Sequence, residues 1–139
     1  MIDIENEVLD RVSTSVREHV PEVYFSGEYV KTPPSFPAVS MVEMDNATFR
    51  RTQSSSVTEH HAEIMYEVNV YSNRTTGKKE ECKRIASIID ASMQEMGFTR
   101  MMLNPVPDMN NATIYRIVGR YIAVVSADKS YFQAAVTHL

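Results

Sequence analysis

Few residues in this chain have the type and spacing that chemistry requires. Glu59, His60 and His61 are the best local candidates for metal ligands. Adjacent residues on an extended chain point to opposite faces, so the two imidazoles do not readily converge on one ion. His19 and His138 have no partner at a ligand spacing, so the reading is of solvated histidines and no metal site. Cys82 is the sole cysteine, which excludes an internal disulfide and a multi-cysteine zinc site. A nucleophilic thiolate needs an electropositive, partly open setting. Lys78, Lys79 and Lys83 lie near Cys82 in sequence, but Cys82 falls on an apolar helical stripe, which predicts a buried structural thiol. Ser54–Ser56 lack a glycine elbow and a paired base. The glycines at 27, 77, 97 and 119 are scattered singly and form no phosphate-cradling loop. Glu80 and Glu81 read as solvated helix-surface carboxylates. The expectation is a protein without catalytic residues or cofactor.

Binding residues are easier to nominate. Phe49, Arg50 and Arg51 sit together in a polar stretch over 45–59. An apolar anchor beside two guanidiniums suits a segment that orders on a partner carrying acidic groups or phosphates. A solvated loop tip is the plainer alternative. Arg116 and Arg120 interrupt an apolar strand face, which predicts that this face meets another chain and needs paired charge there. Two arginines snorkelling from a partly covered sheet would look the same in sequence. Nine methionines read mostly as core filler, with some available as adaptable contact surface.

The elements that position these residues follow from periodicity. Ile4, Val8, Val12 and Val16 predict a helix over 3–19, with Asp3 as N-cap and Pro21 as terminator. Short strands are expected at 22–26 and 38–44, joined through the proline-stiffened KTPPSFP. Residues 45–59 predict a long, mobile hairpin loop with extended arms, and a loop of that length is more often functional than idle. Alternation of Ala62, Ile64, Tyr66, Val68 and Val70 predicts a strand over 60–72. Cys82, Ile85, Ala86, Ile89, Met93 and Met96 predict a helix over 78–96, with Gly97 as a left-handed cap. Strands follow at 98–106, where Pro105 and Pro107 place the far end at a sheet edge, and at 112–126. A tail over 128–139 keeps Tyr131, Phe132 and Val136 and is expected to dock.

The order α-β-β-β-α-β-β predicts a two-layer α+β domain. Its sheet, antiparallel or mixed, has about five strands and carries both helices on one face. With 139 residues, 43% of them hydrophobic, a single domain with a core of its own is expected. No apolar run is long enough to span a bilayer, and the acidic start does not resemble a signal peptide, so export and membrane partners are not expected. Residues 1–30 hold seven acids against Arg11 and Arg17, net −5, within a chain of net −4. With no basic stripe anywhere, nucleic-acid binding as a primary role is disfavoured.

The strand YEVNVY (66–71), the polar turn after it and the helix closing in MGF together resemble the tail terminator and head–tail joining proteins of long-tailed bacteriophages. The paired strands around NPVPDMNNATIYRIVGRYIAVV add to the likeness, as do the acidic opening helix and the proline-containing link. The resemblance covers residues 3 to 126 in pattern and segment style, without a diagnostic motif, and the 45–60 loop bears no family fingerprint. It implies a homo-oligomeric ring, typically a hexamer, in the virion and, during assembly, in the host cytoplasm. Such a ring caps the tail tube protein, stops tube growth and offers a surface to the head connector protein, while DNA only passes through its bore. The net negative charge is compatible with such a ring, because it suits a channel that must not grip DNA. The alternatives are a small-molecule-binding or catalytic α+β domain, a neck protein of the same virion, or an adaptor that binds a peptide through the 45–60 loop.

Overall fold

The structure, a computed structural model, describes residues 1–49, 60–107 and 111–128. Two helices and a five-stranded sheet follow in the expected order: α1 (Glu5–His19), β1 (Tyr24–Ser26), β2 (Ala38–Thr48), β3 (His61–Ser72), α2 (Lys78–Glu95), β4 (Thr99–Pro105) and β5 (Tyr115–Ser126). Across the sheet the strands run β1-β2-β3-β5-β4. All pairings are antiparallel except β1 with β2, which makes the sheet mixed.

Helix α1 buries Val8, Val12 and Val16 as their spacing requires. Asp3 acts one residue earlier than expected. Ile4 holds the N-cap position, and Asp3 Oδ1 accepts the Glu5 N–H at 3.1 Å. Helix α2 buries Cys82, Ile85, Ala86, Ile89 and Met93. It ends in a Schellman motif: the Phe98 N–H donates to Met93 O at 2.9 Å and the Gly97 N–H to Gln94 O at 3.0 Å. Gly97 supplies the left-handed φ of 98° that this closure needs. The helices run antiparallel, with Arg11 against Glu95 at 3.9 Å and the Arg84 guanidinium donating to His19 O at 3.3 Å.

Both helices pack on the sheet face formed by Val39 and Met41 of β2, the even positions of β3, and Ile117, Tyr121, Ala123 and Val125 of β5. The ring of Tyr66 meets Phe98 edge to face at 5.7 Å. Asp90 on α2 ties the helix to two strands, accepting from Tyr121 Oη at 2.7 Å and pairing with Arg100 at 3.1 Å. Burial, reinforced by Asp90, pushes the Tyr121 phenol well above its ordinary value.

Three strand details depart from the sequence reading. Residues 45–48, expected in the loop, continue β2, because they pair with Ala62–Met65 across a bulge between Glu43 and Asp45. Strand β5 starts at Tyr115 rather than 112, since the Asn111 side chain accepts from Thr113 N and Oγ1 and holds a turn there. The 27–37 link does more than join two strands. A parallel pair needs a crossover, and this one lies over the sheet face opposite the helices, where Ser40 Oγ donates to Glu28 O at 2.8 Å and Tyr71 Oη to Val30 O at 3.5 Å.

Candidate interaction surface

The face opposite the helices is therefore covered over one half only. The crossover shelters Ala38, Ser40 and Tyr71, all buried. Beyond it, β3, β5 and β4 leave Met65, Ile122 and Met102 half-buried and Val124 38% exposed. Two exposed methionines flank the sheet, each at a bulge. Met44 (49% exposed) is the extra residue of β2, and Met101 (59%) that of the edge strand β4. A bulge re-aims the residue that it leaves unpaired. Strand β1 pairs with β2 only up to Ser40, so among the described residues no strand covers the later edge of β2.

The structure places the nominated residues as follows. Arg116 and Arg120 lie on the half-covered face, and partners within the chain hold both guanidiniums. Arg120 Nε and a terminal nitrogen each stand 3.0 Å from Glu67 Oε2. Arg116 donates twice to Asn69 Oδ1, at 3.0 and 2.6 Å, and lies 5.7 Å over the Tyr71 ring. Asn69 Nδ2 reaches Glu67 Oε1 at 3.4 Å, so the four side chains form one polar ladder along the face. Glu67 of the same chain supplies the charge opposite Arg120, while Arg116 is held by the neutral Asn69 amide. Phe49 is half-buried just past β2, its N–H donating to His61 O at 2.8 Å. Arg50, Arg51 and Glu59 lie outside the described residues, as does the tail from 129 onward.

Sequence reasoning missed a groove of about 380 Å³ between the start of α2, the far end of β4 and the start of β5. Ala86, Leu103, Pro105, Tyr115 and Ile117 line it, with Lys79, Lys83 and Ser87 alongside. The i, i+4 spacing of the two lysines beside the stripe of α2 was the available signal. The apolar wall comes from strands whose register periodicity leaves open. Cys82, next to the groove residue Lys83 in sequence, is buried and its thiol is pushed up to about 12 by burial, with Glu81 adding to the effect, so it stays protonated at neutral pH. Among the described residues no group of His, Cys, Asp and Glu is placed to hold a metal ion, and no helix is long and apolar enough to cross a membrane.

The opposite end of the molecule is acidic. Asn46 Nδ2 donates to Ile2 O at 2.7 Å, bringing the end of β2 to the start of α1. Asp3, Glu5 and Glu43 gather there. Burial raises the Glu43 carboxyl above its ordinary value, the Tyr66 hydroxyl donating at 3.1 Å pulls it down, and Glu5 and Asp3 push it up again. A carboxyl raised in the folded state contributes stability that is complete below its unfolded value and is lost as pH rises through the folded one. Glu43→Gln keeps an oxygen for Tyr66 and removes the charge. Its melting temperature is expected to match the parent at about pH 4 and to exceed it increasingly towards about pH 7, as read by thermal melts across that range.

Compared with known proteins, the chain matches no family model and no curated sequence.

Proposed function

We propose that this chain is a non-enzymatic assembly protein of the tail-terminator type, whose copies close into a ring, six in number by the resemblance. The ring caps the tail tube of a long-tailed bacteriophage, ends tube polymerisation and presents a surface to the head connector. The observation that carries the reading is the half-covered sheet face together with the bulged Met44 and Met101. One copy leaves apolar surface in water at both flanks of its sheet, and burying such surface between copies is favourable. Contacts between unlike patches generate rings when their rotation closes. A ring binds several tube subunits at once, so weak individual contacts sum to a firm cap. The element order and the acidic opening helix support the same reading by resemblance.

The test is tube growth. Tail tube subunits polymerised with the purified chain are expected to give tubes of bounded length with a ring at one end in electron micrographs. A variant with Phe49, Arg50 and Arg51 all changed to Ser is expected to fold normally and cap less well. Unbounded tubes without rings overturn the proposal. The groove favours a second reading, a small-molecule-binding domain, because its volume falls within the range of ligand sites. A chain that stays monomeric and co-purifies with a tightly bound small molecule would support that reading instead.

A further inference from the structure

The molecule has two unlike ends. At one end, Lys79 and Lys83 border the apolar groove, and neither makes an ion pair among the described residues. Helix α2 carries this end away from the other by its 18 residues, about 27 Å at 1.5 Å per residue. At the other end the β2 bulge exposes Met44 between Glu43 and Asp45. Asp45 and Glu63 are both exposed there on paired strands, and the acids of the first turns of α1 lie close by.

From this charge and shape complementarity we propose that the Lys79–Lys83 groove is the seat for the Met44–Asp45 bulge of a second copy. The Met44 thioether enters against Leu103, Tyr115 and Ile117, and a flexible thioether fills an irregular apolar slot well. Asp45 and Glu63 meet the two lysines at the rim, where charge sets register and encounter rate. Each copy then offers a groove at one end and a bulge at the other. This head-to-tail contact closes into a ring when its rotation permits. The inference deepens the ring reading above and rests on it for closure.

The experiment is a charge swap read by light scattering and analytical ultracentrifugation on the full chain. Lys79→Glu/Lys83→Glu and, separately, Asp45→Lys/Glu63→Lys are each expected to weaken self-association at least about tenfold, because both lie at a charged rim. All four positions are solvent-facing, and circular dichroism checks that each variant folds. Mixing the two variants pairs each altered groove with an altered bulge and is expected to restore assembly to within about threefold of the parent. Met44→Ser, which leaves the charges intact, is expected to weaken assembly with an unchanged salt dependence. Parent-like assembly of both charge variants, or no recovery on mixing, overturns this interface and leaves the ring standing. A parent chain that remains monomeric at every concentration overturns interface and ring together, as does a monomer that retains a fatty-acid anion in native mass spectrometry.

Discussion

Ile89→Asp is expected to leave the chain unfolded at room temperature. Ile89 is 1% exposed in the middle of the α2 stripe, facing Val68, Val70 and Tyr121 of the sheet. Losing a buried isoleucine side chain costs roughly 2–5 kcal/mol in comparable truncations. The carboxylate adds several kcal/mol more, since no cation lines that pocket and a buried unpaired charge is strongly destabilising. A domain of this size holds about 5–15 kcal/mol in total, so the substitution consumes most or all of it. Two companions fix the cause. Ile89→Val removes one methyl group and is expected to cost about 0.5–1.5 kcal/mol. Ser87→Asp, exposed on the same helix, is expected to change stability by less than about 0.5 kcal/mol. Circular dichroism and urea melts read all three. A folded Ile89→Asp with a parent-like melt would mean that α2 does not pack through this face.

The same stripe was among the most legible features of the sequence. Cys82, Ile85, Ala86, Ile89 and Met93 recur at helical spacing and are buried together, and Gly97 closes the helix where its type predicts. The alternation from Ala62 to Val70 identified the central strand, and Pro105 identified the edge. What stayed hidden depends on register and crossing. Period-two patterning assigns faces but leaves open which strand lies opposite which, so Glu67 facing Arg120 was invisible while the two residues themselves were conspicuous. The bulges that expose Met44 and Met101 shift pairing by one residue without a marker in composition. The crossover was read only as a stiff link, because its contacts are carbonyls, Glu28 O and Val30 O, which every residue type supplies equally. The groove needed three elements to converge before its lysines acquired a context.

Arg116→Ala carries the second large expectation, and it bears on what the arginines do. Asn69 is 1% exposed and its Oδ1 accepts both of its hydrogen bonds from Arg116. Hydrogen bonds to a charged donor contribute about 1.5–3 kcal/mol, and stripping the donor leaves a buried acceptor whose desolvation goes uncompensated, roughly 1–3 kcal/mol. The guanidinium also loses its place over Tyr71, about 0.5–1 kcal/mol at a partly exposed site. The expected loss is about 2–3 kcal/mol, because these terms overlap and water enters the vacated space. Replacing both partners tests the logic. Asn69→Leu/Arg116→Met removes the unsatisfied acceptor along with its donor, so it is expected to be clearly more stable than the sum of the single changes predicts, by about 1–2 kcal/mol in a double-mutant cycle. Arg120→Ala, whose ion pair with Glu67 is more exposed, is expected to cost less than about 1 kcal/mol. A loss at Arg116 as small as that at Arg120, or additive behaviour in the cycle, would assign the Arg116–Asn69 contact no role in the folded chain. Arg116 would then be free to serve a neighbour, as its position on an apolar strand face first implied.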